Sequence, residues 1–358
     1  MAKFGLRLEA RPAPSQLMSW LSPVLALLLT VIVGALLFVA LGHDPLAGLA
    51  VFFVEPLRDA HGWSELGIKV APLLLIAVGL AICFRANVYN IGAEGQLTLG
   101  AICGGAAALY LDDEVGGGAM IAVALAAGMA GGMAWAGITA WLRDRYNASE
   151  ILVSLMLVYI AQLLLSYLVY GVLRDPEGFN FPQSKLLSDG LLLPMVISDT
   201  RLHLGIVFAL LASLGGWLYL SKSISGFRLR VGGMAPAAAR YAGFSSRKAL
   251  WSSLLICGAL SGLAGACEVL GPMGQLTPTV SPGYGFAAII VAFVGRLHPV
   301  GVIFSSFIMA LFYIGGELAQ SRLGLPSAIT GVFQGMLLFA LLACDVLIQY
   351  KLRWSKHG

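Results

Sequence analysis

Residues 84–100, FRANVYNIGAEGQLTLG, set Asn87, Asn90, Glu94 and Gln96 among Gly92, Gly95 and Gly100, between two apolar runs. Amide and carboxylate side chains in that setting can do one of two things. They can hydrogen-bond a polar solute, or they can satisfy backbone groups freed where glycine loosens a helix. Both arrangements are costly in hydrocarbon and are tolerated where broken backbone is buried in protein or lines a water-filled path. Glu268 is a second acid inside an apolar run, just ahead of Gly271-Pro272-Met273-Gly274; it could gate a solute or mark a solvated helix end. Tyr284 and Phe286 could stack on the face of a base or sugar, although aromatics also gather at membrane interfaces. Arg85 reads as a boundary marker, and Glu150, behind Asn147 and Ser149, as an acid favoured by the start of a helix.

The elements that must position these residues are membrane helices. Hydrophobic residues make up 59% of the 358-residue chain, charged residues only 11%, and the mean hydropathy is +0.87; soluble domains carry about 25% charged residues. The apolar blocks reach the 17–25 residues or so that a spanning helix needs. They suggest an all-α, polytopic bundle of about ten spans, near 20–42, 68–84, 96–111, 119–142, 149–173, 202–221, 249–271, 284–296, 299–316 and 325–349, in a single domain covering 1–358. The first run is long enough to stay as a signal anchor rather than be cleaved. Pro45 to Val54 is semi-apolar and too short to span, so it lies on the surface or re-enters. The five cysteines (Cys83, Cys103, Cys257, Cys267, Cys344) lie inside apolar runs without C-x-x-C spacing and read as reduced, buried hydrophobes.

Charge orients the bundle. With both termini inside, all of the 22 basic residues except Arg58, Lys69, Arg174, Lys185, Arg201 and Arg322 fall on the inner side, which is the bias that sets topology. The N-terminal 1–19 is then cytoplasmic. Asp44, Glu55, Asp59, Glu65, Asp112, Asp113, Glu114, Asp175, Glu177, Asp189 and Asp199 fall outside. The outer loop 174–201, with Pro176, Pro182 and Pro194, could form a short amphipathic element. The inner loop 222–248 carries Lys222, Arg228, Arg230, Arg240, Arg247 and Lys248 and no acid. Inside it, 235–243 predicts a short helix, with Pro236 suited to the first turn and Gly243 to the stop. A loop that only served topology would need those charges but not a compact helix, so a docking element for a cytoplasmic partner is the alternative.

Four segments resemble one family. Asn87 to Gln96 resembles an NxGxEGQ signature, Asn147 to Leu157 an N-x-x-E-hydrophobic-S/T-L-M-L element, and Gly226 to Gly243 a coupling-loop motif. Ser281-Pro-Gly-Tyr-Gly-Phe286, followed by an apolar stretch and Pro299, fits the same group. In that order, and from about Phe84 to the end, the chain is similar to permease subunits of ABC-type importers. The branch includes permeases for ribose, branched-chain amino acids and, most closely, nucleosides and simple sugars. The resemblance implies a bacterial cytoplasmic-membrane subunit that pairs with a second permease, the same chain or a sister. It further implies cytoplasmic ATPases that consume ATP and an extracytoplasmic solute-binding lipoprotein. Gly233, Pro236, Ala237, Ala238, Ala239, Arg240 and Gly243 would be the ATPase-coupling residues. Ala235 departs from the family's usual Asn, so a capping role there is not carried over.

The residues agree with a non-catalytic subunit. There is no G-x-x-x-x-G-K-[ST] loop to hold ATP phosphates, and no metal, cofactor or nucleic-acid signature; membrane lipid is the expected solvent. A secondary transporter would share the bundle but predicts acids lining mid-spans, whereas most acids here fall in loops. A membrane-embedded enzyme would want clustered catalytic residues, whereas His43, His61, His203, His298 and His357 are dispersed. The Gly-interrupted segment near 87–100 and the Gly/Pro-interrupted one near 271–285 echo one another, as paired broken segments flanking a midplane site do.

Overall fold

The computed structural model of the chain describes residues 4–13, 15–111, 117–197 and 200–356. Lys3, Asp112, Asp113, Glu114, Asp199 and His357, which entered the reading of charge and histidines, lie outside them. The chain divides into two compact units, residues 1–59 with 311–358, and residues 60–310.

In the first unit, β1 (Phe4–Ala10) pairs antiparallel with β2 (Tyr350–Lys356), in a register running from Phe4 against Lys356 to Ala10 against Tyr350. This ribbon is an addition to the all-α expectation, and it brings the two ends of the chain to one place, an arrangement that fits an even number of crossings. α1 (Gln16–Ala40) packs along α13 (Ala328–Gln349). Ser22, Ala26, Thr30, Gly34 and Phe38 of α1 are buried at every fourth position, while Leu28, Ile32 and Leu36 are exposed, the pattern of a helix with one protein face and the rest in lipid. The 45–54 segment is a short helix, α2 (Pro45–Leu49), followed by a wide turn of helix through Val54. It does not span. It inserts Phe52 against Phe333, stacked at 4.3 Å between ring centroids, with Phe312 at 6.0 Å. The Arg322–Glu55 ion pair, at 2.6 Å, closes the same unit.

The second unit holds α3 (Ala60–Arg85), α4 (Ala93–Leu111), α5 (Gly118–Tyr146), α6 (Glu150–Tyr170), α7 (Gly205–Lys222), α8 (Ile224–Met234), α9 (Pro236–Tyr241), α10 (Ser246–Glu268), α11 (Tyr284–Val294) and the start of α12 (Pro299–Leu323). Val70 to Phe84 of α3 are buried without a break, so this helix is the unit's central post; a helix apolar all round belongs in the interior. Around it, α4, α5 and α10 meet through small residues. A side chain on Gly132 would collide with the Gly258 carbonyl and stand 2.7 Å from Gly262 Cα; one on Gly262 would meet the Gly128 carbonyl. In lipid, such small-residue contacts are what allow helices to approach and hold by packing.

Among the described residues, eight helices are long and apolar enough to cross a membrane. The expectation of about ten spans therefore resolves into these eight plus α4 and α11. α4 carries Glu94 and Gln96 in its first turn, and α11 has only 11 residues. The break between α11 and α12 falls where expected, with Arg296 and Leu297 both at positive φ (57° and 52°).

The 174–201 loop is a cover rather than an amphipathic helix: among its described residues the one helical element is a 3-10 turn at Asp189–Leu191. Its backbone is laced to the segment after α10: Leu193 N donates to Leu270 O at 2.7 Å, Leu187 N to Gly274 O at 2.8 Å, and Ser184 N to Leu276 O at 2.9 Å. His203, at the end of the cover, is buried; its Nδ1 accepts from Gly205 N at 3.1 Å, and a side chain on Gly271 would meet its ring. Burial pushes its pKa down to about 4, against about 6.5 in an unfolded chain. Between those values the unfolded state binds more protons, so the contribution of His203 is complete above about pH 6.5 and is lost as pH falls towards 4. The linked stability is at most about 3 kcal/mol. Thermal unfolding of the solubilised protein should therefore show a lower Tm at pH 5 than at pH 7.5, and His203→Gln should flatten that difference. An equal slope in both proteins would show that the cover does not depend on neutral His203.

Candidate functional site

The motifs that are separate in sequence converge in the second unit. The polar stretch after α3 begins with a helix stop: Asn87 takes φ 58°, its N–H bonds Phe84 O, and Val88 N–H reaches back to Cys83 O at 3.0 Å. This is the left-handed closure in which Asn stands in for Gly. Asn87 is exposed in a cleft of about 310 Å³ with Arg143, Asp144 and Arg247. Asn90 and Gln96, both buried, are bonded amide to amide in both directions, at 3.1 and 3.2 Å. The Asn90 oxygen also accepts from Gly92 N at 3.0 Å, and its nitrogen contacts Cys257 Sγ of α10 at 3.2 Å. Their capacity is thus directed to the broken backbone and to α10.

Glu94 is buried at the start of α4, and its Oε2 accepts from Gly285 N at 2.6 Å. The Ser281 hydroxyl and the Gly283 amide also face it. Ser281 Oγ in turn accepts from Tyr284 N at 2.9 Å and Gly283 N at 3.1 Å. A carboxylate and a hydroxyl therefore cap α11 from two chain segments; a negative group at a helix N-terminus answers orphan N–H groups and the dipole together. The close fit is enforced by Gly285, where any side chain would run into the Glu94 backbone. The second motif joins here too. Ser154 of α6 accepts from Ile91 N at 3.2 Å, and Gly95 lies against Val158, Leu157 O and Trp135. At the foot of α6, Glu150 pairs with Arg143 at 3.3 Å, and Asn147 ends α5 at φ 51°.

Glu268 is buried at the end of α10, and its Oε1 has no hydrogen-bond partner among the described residues. Lys69 of α3 and Arg201 are the cations that face it. Lys69 Nζ also lies 5.9 Å from the centroid of the Tyr284 ring, within cation–π range. Glu268, Lys69 and Tyr284 thus share one neighbourhood built from α10, α3 and α11. Lys69 is a residue that sequence reasoning missed as a site residue, since it was read only as an outer charge; the available signal was a lysine set between Ile68 and Val70 in an apolar run. Tyr284 is buried and Phe286 is 39% exposed, so the two rings face different surroundings.

The inner loop contains more helix than expected. α8 precedes α9, and Ala235 between them has φ −142° and no side-chain cap. Pro236 occupies the first turn of α9 as predicted. Gly243 sits at φ 74°; its N–H bonds Arg240 O at 3.0 Å and Phe244 N–H bonds Ala239 O at 2.9 Å, the paired bonds of a Schellman stop. Ala237, Ala238 and Arg240 are exposed, Tyr241 is 98% exposed, and Ala239 is buried. Gly233 abuts the Arg85 carbonyl, leaving no room for a side chain. Pocket and loop together describe a bundle with a buried, two-segment polar junction and, at the end of the α7 and α10 spans, a short rigid helix that offers small side chains to its surroundings.

Known proteins place this arrangement. The profile for the permease component of branched-chain amino acid transport systems matches residues 64–342. A glucose ABC transporter permease of Haloferax volcanii is 32% identical over 97% of this chain and 93% of its own length. A guanosine ABC transporter permease of Bacillus subtilis is 33% identical over 87% of this chain and 90% of its own. A nucleoside ABC transporter permease of Lactococcus lactis is 26% identical over 89% of each. No solved structure matches the chain. The chain belongs to the branched-chain amino acid transport system permease family, as a non-catalytic, multi-pass membrane subunit of an ABC importer that works with a separate ATPase, consistent with a bacterial inner membrane.

Proposed function

We propose that this permease conducts a nucleoside or a simple sugar inward, paired with a second permease (this chain or a sister) and fed by an extracytoplasmic solute-binding lipoprotein. Both termini and residues 222–248 face the cytoplasm, where ATPase subunits that bind and hydrolyse ATP grip α9. The observation that carries the reading is α9 itself: a helix stopped at both ends, presenting exposed Ala237 and Ala238 beside Arg240 in a loop without acids. Small side chains let it enter a cleft on a partner. The solute class is supported by the relatives that transport glucose, guanosine and nucleosides.

Within the path, the candidate residues divide by role. Asn87 stops α3 through its left-handed backbone, and Asn90, Glu94 and Gln96 hold the broken segment, since each of these three side chains is bonded to backbone or to another of them. Glu268, with Tyr284 and Lys69 beside it, is the group that meets solute, because its Oε1, unbonded among the described residues, is a buried acceptor awaiting a donor such as a sugar hydroxyl. Phe286 supplies a further apolar surface. An unmade bond on a buried acceptor costs about 1–3 kcal/mol, an expense that a passing hydroxyl would relieve.

The test is uptake of labelled guanosine and of labelled glucose by cells expressing the full transporter. One of the two should accumulate, and Glu268→Gln should lower its uptake about tenfold while the ATPase still co-purifies, as expected from losing one charge-assisted hydrogen bond. Unchanged uptake would remove Glu268 from the path. Loss of co-purification would make it a folding residue. Accumulation of neither solute would overturn the proposed solute class.

A further inference from the structure

The inner loop also builds a basic cavity behind α9. It has a volume of about 380 Å³ and is lined by Arg228 of α8, Lys248 of α10 and the hydroxyl residues Ser225, Ser245 and Ser252, with no acid among the lining residues. Its inner wall is apolar, formed by Tyr219, Leu229 and Ile256. Neither Arg228 nor Lys248 has an ion-pair partner among the described residues. Arg228 is nonetheless held in place: its guanidinium carbon lies 5.6 Å from the centroid of the Phe244 ring. Phe244 is fixed in turn by the backbone bond to Ala239 that stops α9 and by the edge contact of Phe227 at 6.4 Å. An adjoining cavity of about 260 Å³ shares Arg228, Phe244 and Ser245 and adds Arg240.

The depth of this cavity is set by the spans around it. α7 ends at Lys222 and α10 begins at Ser246, so Tyr219 and Lys248 mark where apolar helix gives way to water. Lys222 Nζ lies 6.0 Å from the centroid of the Trp217 ring, a pairing typical of the headgroup level. A site that is cationic and hydroxyl-lined towards water and apolar towards the bundle matches an amphiphile whose head is a phosphate.

We propose that this cavity binds a phosphate-bearing anion, with an anionic phospholipid headgroup as its usual occupant. Arg228 and Lys248 neutralise the phosphate, the serine hydroxyls donate to its oxygens, and the glycerol end of an acyl chain lies along Tyr219, Leu229 and Ile256. Because Arg228 lies ahead of α9 and Lys248 behind it, an occupied cavity ties together the two ends of the proposed coupling element. Assigning the lipid to the cytoplasmic leaflet rests on the orientation proposed above; the anion chemistry does not.

The experiment is native mass spectrometry of the purified full transporter, equilibrated with equal amounts of phosphatidylglycerol and phosphatidylcholine. Phosphatidylglycerol should be retained preferentially. Replacing both cations (Arg228→Gln with Lys248→Gln) should weaken that retention roughly thirtyfold, given the usual attraction of two basic side chains to an anionic lipid surface. The swap Arg228→Lys with Lys248→Arg should keep it, and Arg174→Gln with Lys185→Gln on the outer cover should not change it. Retention that resists excess inorganic phosphate identifies the lipid as the source. Displacement by phosphate in the native protein alone keeps the anion site but makes free phosphate its source. Equal phosphatidylglycerol retention by native protein and double variant, with no competition by phosphate, overturns the proposal. Impermeant labelling of a Ser223→Cys variant from outside intact cells would overturn the orientation instead, and would leave the lipid result standing.

Discussion

Gly262→Leu is expected to leave almost no folded chain in the membrane. Gly262 sits where α10 crosses α5 and α4: the Gly128 carbonyl occupies the place a side chain would take, Gly132 Cα is 3.0 Å from that place, and a side chain on Gly100 of α4 would in turn collide with the Gly262 backbone. Overpacking an ordinary core costs about 1–3 kcal/mol because side chains can shift. Here the obstacles are backbone atoms of neighbouring helices, which can yield only if the helices part, so the cost should exceed that range. Separation would also undo the closest packing in the unit, and in lipid no hydrophobic force draws helices back together. The check is membrane-inserted, monodisperse protein by fluorescence-detected size exclusion, against Gly215→Leu as a control at a glycine with open space around it. Comparable yields of the two variants would show that the α4–α5–α10 contact is not the core that holds this unit.

Ala238→Glu is expected to have the opposite profile: normal insertion, with solute uptake lost. Ala238 is exposed, and surface substitutions usually change stability by no more than about 0.5 kcal/mol. The helix around it is secured independently, by Pro236 at its start and the Gly243 stop at its end. A longer, charged side chain on the face proposed to enter a partner would nevertheless overfill that contact, at about 1–3 kcal/mol, or roughly tenfold to a hundredfold in association. Uptake should fall accordingly, and ATPase co-purification should fall with it or remain without driving transport. Normal uptake with normal co-purification would show that coupling runs elsewhere. Arg240→Gln should do less, since part of its role is topological.

How much of this was legible in the sequence depends on how far apart the interacting groups lie. α9 was legible because proline at a helix start and glycine at its end are local signals, each read from its own few residues. Apolar block length was legible for the same reason. The role of Glu94 was not: its partner Gly285 is 191 residues away, and a carboxylate capping a helix from another segment looks, in sequence, like one poised for solute. The echo between the two interrupted segments pointed to their meeting, without showing that one would cap the other. α8 was hidden because its charges and glycines read as loop. The terminal ribbon was hidden because β1 and β2 gain their order only from each other. Span number stayed ambiguous because α4 and α11 are short or polar for a physical reason, as they meet at the buried junction instead of crossing uniform lipid.

The central claim is that a cytoplasmic ATPase drives this permease through α9, and thiol cross-linking from that helix tests it most directly. The native cysteines are free, four of them buried and Cys103 partly so, which leaves an Ala238→Cys variant with one exposed reactive thiol. In inverted membrane vesicles carrying the co-expressed ATPase, a short bifunctional thiol reagent should join position 238 to the ATPase, and the yield should change on adding ATP. An adduct-free ATPase, together with labelling of position 238 by an impermeant reagent applied to intact cells, would contradict both the docking and the orientation.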